Sequence, residues 1–220
     1  MKLLFDFDGV LTDQTAEAGW YKKSFHDKLY EFGGVSKEKT AALLEHAYQN
    51  MRANPHEHGW KQHHRLTAYA NEDLLVENVG LSICLDEYAA TENGVAAEIL
   101  ENLKKNDYPS FFEVSQSAYA FMVEQTRNGN EKNPLDEQVL VLFEDLLNDG
   151  HHITIVSNSS TKRIIDIFAE AGLDVPDHEK EPNAPFKIRG GSCKFDLDEH
   201  KQAFWVHDYW LDTARPNYLK

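Results

Sequence analysis

The chain opens with a short apolar run that ends in two aspartates, and this stretch constrains the fold more than any other. Residues 3–13 read LLFDFDGVLTD, so Asp6 and Asp8 follow side chains that are suited to burial. Buried carboxylates are costly unless they are paired, hydrogen-bonded or bound to a cation. Gly9 follows at once and permits a tight turn. We therefore predict a strand that leaves the core and presents both carboxylates at the sheet edge where ligands of parallel sheets bind.

A helix–strand–helix pattern in the second half of the chain supplies a partner for that strand. The run ITIVS at 153–157 is short and β-branched, as buried parallel strands are. The helix before it ends at Gly150, the helix after it ends at Gly172, and both carry an apolar stripe. Strand, helix, strand and helix in this order predict an α/β fold with a parallel sheet.

The region between the first strand and this pattern has helical rather than strand periodicity. Apolar side chains recur at helical spacing from Tyr21 to Phe32, and no later stretch of the region alternates as a half-buried strand does. We therefore expect an all-helical insertion at residues 14–134. The α/β core would be formed by residues 1–13 and 135–220.

Composition and charge narrow the class of partner. At 220 residues and 41% hydrophobic content, the chain can build a sizeable core. A net charge of −15 argues against nucleic acid and anionic membranes as partners, and a phosphorylated substrate would need a cation to approach.

The two cysteines lack metal-type spacing, and no run approaches the ~20 apolar residues of a membrane span. Because no signal-peptide pattern is visible, we expect a cytoplasmic protein.

Two motifs resemble the haloacid dehalogenase superfamily. LLFDFDGVLTD resembles its first motif, an apolar strand followed by Asp-x-Asp-Gly, and ITIVSN resembles its second, an apolar strand that ends in Ser or Thr. The resemblance covers residues 1–13 and about 135–172, and it implies a Rossmann-like parallel core with a helical cap inserted after the first motif. An acid at the position of Asp8 is typical of the phosphatases and phosphomutases of this superfamily.

The resemblance also implies roles for the matching residues. Asp6 would be the nucleophile that forms an aspartyl-phosphate, and Asp8 would be the general acid and base. Mg²⁺ would bind Asp6 and the Asp8 backbone carbonyl and reduce the repulsion between anions. Ser157 and Asn158 would bind phosphoryl oxygens, together with backbone N–H groups at the N-terminus of the next helix. The alternatives are that the two acids only shape a turn or hold a structural cation, and that Ser157 only caps the helix.

The superfamily also needs a basic residue and a fourth strand that ends in acids, and two placements are possible. In the first, FWVHDYWLD at 204–212 is that strand, Asp208 and Asp212 complete the Mg²⁺ site, and the basic residue is Lys187 or Lys194. The connection before this strand, SCKFDLDEHKQ, is polar and short. A parallel crossover needs about a dozen residues or more, usually in a helix, so this placement conflicts with the chain connection.

In the second placement, which the connection favours, residues 185–212 form an antiparallel excursion with short strands at FKIRG, CKFDL, AFWVH and YWLDT. ARPNYLK then resembles the start of the third motif, with Arg215 in place of a lysine. The fourth strand would be absent, leaving the first strand with an unpaired edge. The resemblance thus implies a Mg²⁺-dependent hydrolase of a small phosphorylated metabolite. The alternative is a shortened, non-catalytic member that acts by binding if at all.

Overall fold

The chain divides into two compact units of mixed α and β structure. The computed structural model describes residues 1–62, 65–91, 94–126 and 135–192, and the backbone alone of Arg127, 204–206 and 209–211. The first unit joins Met1–Gln14 to Lys132–Lys220, and the second is Thr15–Glu131. The described residues confirm an α/β fold with a small parallel sheet.

Helices form most of the secondary structure in the described part of the chain. In chain order the elements are β1 (Lys2–Phe5), α1 (Thr15–Phe32), α2 (Lys37–Ala53), β2 (Gly59–Gln62), β3 (Arg65–Tyr69), α3 (Leu74–Thr91), α4 (Val95–Lys104), α5 (Phe111–Arg127), α6 (Glu137–Asn148), β4 (His152–Val156), α7 (Thr161–Glu170), β5 (Phe186–Arg189), β6 (Phe204–Val206) and β7 (Tyr209–Leu211). The second unit holds the elements from α1 to α5, and the first unit holds the rest.

The first unit is built on a parallel sheet in the order β1-β4-β5. The central strand is β4, in which Ile153 lies opposite Leu3 of β1 on one side and Phe186 of β5 on the other. Ile153 and Ile155 are fully buried, as expected for a β-branched strand with a neighbour on each side. The order of β1, α6, β4 and α7 along the chain confirms the pattern predicted from the sequence.

A cluster of aromatic rings forms the core on one face of this sheet. Phe143 of α6 and Phe168 of α7 are fully buried, and their rings lie 5.2 and 5.4 Å from that of Phe186. Phe7 adds a fourth ring from the turn after β1, 5.9 Å from Phe168. Leu4 alternates to the opposite face and is 73% exposed. The packing on α6 and α7 therefore orients the sheet and the turn that follows β1.

The two helices of the first unit begin and end at residues suited to those positions. Asp136 caps α6 and Ser160 caps α7, each through a side-chain oxygen that accepts a backbone N–H of the first turn. Gly150 and Gly172 follow the helices with φ of 75° and 86°, a conformation that favours glycine. Local sequence thus fixes where β4 starts and where α7 begins after it.

The segment FKIRG corrects one expectation. It was expected to open an antiparallel excursion, but β5 pairs in parallel with β4, with Ile188 opposite Ile155. The chain between these strands contains α7, so it is long enough to make the parallel crossover. Buried and half-buried positions alternate along β5, as in a strand with one packed face.

The strands β6 and β7 pair antiparallel with each other, with Phe204 opposite Leu211. The placement of residues 204–212 as a single parallel strand beside β1 is therefore wrong. Short antiparallel strands in AFWVH and YWLDT are confirmed, and the short polar connection before them explains why no parallel crossover forms. CKFDL lies outside the described residues. Within the sheet that the structure describes, β1 is an edge strand.

The second unit contains a β-hairpin, so the expectation of an all-helical insertion is wrong. The strands β2 and β3 pair antiparallel, with Gly59 opposite Tyr69. Gly59 has a φ of 146°, and a Cβ there would lie 2.0 Å from the carbonyl oxygen of Ala68, so the pairing requires glycine. The strands have 4 and 5 residues, which is too short for their periodicity to stand out.

The core of the second unit is formed by the helical stripes that the sequence predicts. Tyr21, Phe25 and Leu29 of α1 are fully buried or nearly so, in one cluster with side chains of α2, α3, α4 and α5. No helix in the described residues combines the length and the apolar character needed to cross a membrane. The packing of this unit thus comes from amphipathic helices around a shared centre.

His26 on α1 is a largely buried imidazole among aromatic rings. Its ring lies 6.2 Å from that of Tyr48 and 6.4 Å from that of Tyr30. Its Nε2 finds no hydrogen-bond partner among the described residues. Burial, assisted by the charge of Lys22, lowers the pKa of His26 to about 4, and Asp27 acts in the opposite direction.

This imidazole predicts a loss of stability in acid. The folded state keeps His26 neutral below its ordinary pKa of 6.5, whereas the unfolded chain takes up a proton there. The unfolding free energy therefore keeps its whole value above pH 6.5 and falls as the pH drops toward 4. Between about pH 7 and pH 4.5, wild type should lose on the order of 2 kcal/mol more unfolding free energy than His26→Gln in urea denaturation. His56→Gln, at a side chain that is 70% exposed, should follow wild type. Equal acid losses in wild type and His26→Gln would contradict this account.

Candidate functional site

Three loops meet at the carboxyl edge of the parallel sheet, where open α/β folds bind ligands. They follow β1, β4 and β5 and comprise residues 6–9, 157–160 and 190–192. The last two are joined by a backbone hydrogen bond of 2.9 Å from Ser192 N to the Ser157 carbonyl. Side-chain bonds join the first to the second, so the loops form one connected edge.

The side-chain bonds converge on Asp8. Its carboxylate accepts hydrogen bonds from Ser157 Oγ at 2.5 Å, Ser159 Oγ at 3.0 Å and Arg163 Nη1 at 2.9 Å. The side chains of Arg163 and Asp8 are only 16% and 15% exposed, so this ion pair is shielded from water. Hydrogen bonds with a charged partner are roughly twice as strong as neutral ones. Two predicted site residues from distant parts of the chain, Asp8 and Ser157, are thus in direct contact.

Phe7 anchors the turn that carries the two aspartates. It is fully buried, whereas Asp6 and Asp8 on either side of it are half-buried. Asp6 follows β1 directly, and its Oδ1 accepts the N–H of Phe7 at 2.9 Å. Gly9 then has a φ of 72°, and its N–H donates to Thr12 Oγ1 at 3.3 Å. The turn therefore holds both carboxylates outside the core while its middle residue stays packed.

Ser157 is fully buried, and its backbone and its hydroxyl are both bonded. Its N–H donates to the Arg189 carbonyl at 3.1 Å, and its Oγ accepts the N–H of Ser159 at 2.9 Å. The alternative that Ser157 only caps the next helix is wrong, because Ser160 caps α7. Its hydroxyl proton is thus left for an oxygen acceptor, and Asp8 provides one.

Asn158 lies beside Ser157 at the same edge. Its Oδ1 accepts a hydrogen bond from Ser192 Oγ at 3.2 Å, which links the loop after β4 to the loop after β5. The structure therefore places this predicted phosphate ligand next to the contact between Asp8 and Ser157, with a protein partner of its own.

Gly190 lets the loop after β5 pass close to the start of α7. A Cβ at this position would lie 2.2 Å from Thr161 N and 2.5 Å from the Ser159 carbonyl oxygen. Hydrogen bonds hold the two segments at this short distance: the N–H of Gly190 donates to Thr161 Oγ1 at 3.0 Å, and the N–H of Gly191 donates to the Ser159 carbonyl at 2.9 Å. This close approach fixes the backbone of Ser159 at the site.

A methyl group at Gly190 should therefore destabilise the first unit. We expect Gly190→Ala to lower the unfolding free energy by about 2 kcal/mol or more, because backbone atoms must move apart. Gly191→Ala is the matched control, since Gly191 has a φ of 61° but no atom within 4 Å of the added Cβ. It should cost only about 1 kcal/mol of left-handed strain. Equal losses in urea denaturation would show that the contact at Gly190 is unimportant.

Arg163 is the site residue that the sequence analysis missed. It lies in the first turn of α7, and its Nη1 also donates to Ser159 Oγ at 2.7 Å. The resemblance directed attention to a basic residue later in the chain. A local signal was present, because Arg163 falls in the first turn of a predicted helix that starts at the carboxyl edge of the sheet.

Of the other predicted site residues, the structure describes the side chain of Lys187. Lys187 lies within β5, opposite Thr154, and its Nζ donates to the Pro182 carbonyl. A side chain in the middle of a strand points to a face of the sheet, so the role of Lys187 as the basic residue of the site stays a prediction. Four candidates lie outside the residues whose side chains are described, namely Lys194, Asp208, Asp212 and Arg215.

Oxygen atoms that suit a hard cation are present at the carboxyl edge. The Asp6 carboxylate and the backbone carbonyl of Asp8 are donors of the type that Mg²⁺ prefers. The described side chains contain no group of three His, Cys, Asp or Glu that could hold a metal ion. Mg²⁺ bound by these two oxygens would keep several water or substrate ligands, as this ion commonly does.

Comparison with known proteins adds no family to this geometry. No family model matches the chain, and neither the curated proteins nor the solved structures contain a match. Any functional assignment therefore rests on the residues of the site and their chemistry.

Proposed function

We propose that the protein is a Mg²⁺-dependent phosphomonoester hydrolase that works through an aspartyl-phosphate on Asp6. The observation that carries this proposal is the 2.5 Å contact between Ser157 Oγ and the Asp8 carboxylate at the carboxyl edge of the sheet. It joins the two segments that resemble motifs of the haloacid dehalogenase superfamily. Two carboxylates, a hydroxyl and an arginine at one edge are groups that phosphoryl transfer can use.

Asp6 is the nucleophile in this mechanism. A carboxylate oxygen attacks phosphorus, and the bond from phosphorus to the leaving alcohol oxygen breaks as the new bond forms. Water then attacks the aspartyl-phosphate, releases inorganic phosphate and restores the carboxylate. Asp6 suits this role because it follows β1 directly and precedes the buried Phe7, so the backbone positions its side chain.

Asp8 manages the protons of both steps. It donates a proton to the leaving alcohol oxygen in the first step and takes one from the attacking water in the second. Its backbone lies beyond the end of β1 and is followed by Gly9, which adopts a left-handed conformation. The side chain can therefore turn without moving the strand.

Ser157 and Arg163 bind the phosphoryl group. The Ser157 hydroxyl donates a hydrogen bond, and the Arg163 guanidinium adds positive charge in a planar fork that matches phosphate oxygens. The N-terminus of α7 contributes further positive character at the same place. Mg²⁺, when bound, offsets the repulsion between the Asp6 carboxylate and the anionic substrate.

The substrate in this proposal is a small phosphorylated metabolite. The unit Thr15–Glu131 is inserted in the chain between the turn that carries Asp8 and α6. We assign it the role of a cap that selects the organic part of the substrate. The net charge of −15 makes nucleic acid an unfavourable alternative substrate.

A phosphatase assay with Mg²⁺ tests the proposal directly. Asp6→Asn should lower turnover of a phosphomonoester such as p-nitrophenyl phosphate by about 1,000-fold or more, because an amide cannot replace the carboxylate nucleophile. Asp174→Asn makes the same chemical change at an exposed position of the first unit and should leave turnover unchanged. Equal turnover by wild type and Asp6→Asn would remove the mechanism.

A second candidate is a protein that binds a phosphorylated ligand without turnover. Three observations support it. The Asp8 carboxylate is fully engaged by Ser157, Ser159 and Arg163, and no third acidic metal ligand joins Asp6 and Asp8 within the described side chains. In the sheet that the structure describes, β1 also has a neighbour on one side only.

Beryllofluoride with Mg²⁺ separates the two candidates, because this mimic of a phosphoryl group bonds to a carboxylate nucleophile. The hydrolase should gain about 2.7 kcal/mol of stability at 100 times the dissociation constant, seen as a higher melting temperature. Asp6→Asn lacks the bonding oxygen and should not shift. A melting temperature that Mg²⁺ and beryllofluoride leave unchanged in wild type would favour the binding protein.

A further inference from the structure

We propose that Ser157, Ser159 and Arg163 form an oxyanion site whose internal occupant is the Asp8 carboxylate, and that a phosphoryl group binds by displacing Asp8. This inference rests on the proposed function, and it adds that Asp8 and the phosphoryl group compete for the same hydrogen-bond donors. The three residues are called the oxyanion cradle below.

The contacts of Asp8 show what the oxyanion cradle recognises. Two hydroxyls and one guanidinium nitrogen surround a single carboxylate at 2.5, 3.0 and 2.9 Å. Carboxylate and phosphate oxygens accept the same charge-assisted hydrogen bonds, and arginine is the residue that most often binds both. A phosphoryl group therefore satisfies the same donors, and it carries more negative charge than the carboxylate it replaces.

The oxyanion cradle is held together by bonds that do not involve Asp8. Arg163 Nη1 donates to Ser159 Oγ at 2.7 Å, and the N–H of Ser159 donates to Ser157 Oγ at 2.9 Å. The Ser159 carbonyl also accepts the N–H of Gly191 at 2.9 Å. Removal of the Asp8 carboxylate would therefore leave the donors close to their present positions, ready for another anion.

Asp8, by contrast, is free of constraint from the strand. It lies three residues beyond the end of β1, and the two residues that follow it, Gly9 and Val10, are exposed. The buried Phe7 holds the turn in place from the other side. A change of the Asp8 side-chain rotamer thus frees the oxyanion cradle at no cost to the core.

Displacement would also connect substrate binding to proton transfer. While Asp8 occupies the oxyanion cradle, its carboxylate is bonded to donors and cannot face the leaving alcohol oxygen. Entry of the phosphoryl group releases it for that role. The wild-type protein therefore binds a phosphoryl group more weakly than an empty oxyanion cradle would, because Asp8 fills the cradle in part of the molecules.

The test measures the binding of inorganic phosphate to the full chain by calorimetry, without Mg²⁺ and without turnover. Asp8→Ala should bind phosphate about tenfold more tightly than wild type, because the bonds to the internal carboxylate no longer compete. Asp6→Ala is the matched control. It removes the same charge from the same turn but leaves Asp8 in the oxyanion cradle, so it should tighten binding by less than about threefold.

Two further variants complete the design. Arg163→Met in the Asp8→Ala background should abolish the gain in phosphate affinity, because the guanidinium is the charged donor. Asp8→Asn preserves the shape of the side chain, and it should show a gain smaller than that of Asp8→Ala. It serves as the main variant should Asp8→Ala fail to show the circular dichroism spectrum and cooperative melting of a folded protein.

The competition is overturned when Asp8→Ala, or Asp8→Asn in its place, binds phosphate no more tightly than Asp6→Ala. It is equally overturned when the gain survives Arg163→Met. These outcomes are independent of the proposed function. If Asp8→Ala gains phosphate affinity but the wild-type protein hydrolyses no phosphomonoester, the oxyanion cradle is supported and the proposed function is contradicted. If the wild-type protein is an active hydrolase but Asp8→Ala gains no affinity, only the competition is contradicted.

Discussion

The ion pair between Asp8 and Arg163 connects segments that are distant in sequence, and it attaches the turn after β1 to the start of α7 at the carboxyl edge. Asp8 lies in the turn after β1, whereas Arg163 belongs to the first turn of α7. Both side chains are largely buried, so each charge needs an ionic partner, and in this structure each is the partner of the other. The hydroxyl of Ser157 completes the arrangement at 2.5 Å from Asp8. Electrostatic contacts therefore join the loops at the carboxyl edge, whereas aromatic packing against α6 and α7 holds the sheet itself.

Much of the first unit follows from rules that act over a few residues. A β-branched run at 153–157 gives the central strand, and glycines at 150 and 172 end the helices on either side of it. Because parallel strands direct their carboxyl ends to one edge, the contact of Asp8 with Ser157, the residue after β4, could be foreseen from the motifs alone. The helical stripes of the second unit follow from the same local periodicity.

The features that the sequence did not reveal depend on contacts between distant residues. Gly59 reads as an ordinary turn glycine until Ala68 is placed beside it in the hairpin of β2 and β3. Gly190 needs its approach to Thr161 before its role is visible, and β5 needs the crossover through α7 before its direction is fixed. Arg163 escaped for another reason, because the superfamily resemblance pointed to a basic residue in a different segment. The glycines and the direction of β5 were missed because they depend on long-range contacts, and Arg163 was missed because the superfamily motifs were followed too closely.

The overall charge of the chain says little about the charge that a ligand would meet at this edge. Although the net charge is −15, exposed charges that lie farther from the site than the Debye length of about 8 Å act on it only weakly. What counts locally is Asp6 and Asp8 against Arg163, together with the N-terminus of α7. When a phosphoryl group displaces Asp8 from Arg163, one carboxylate loses its partner while more negative charge arrives. The local balance then becomes strongly negative, and this imbalance is the physical reason for expecting a divalent cation beside Asp6 rather than a second arginine.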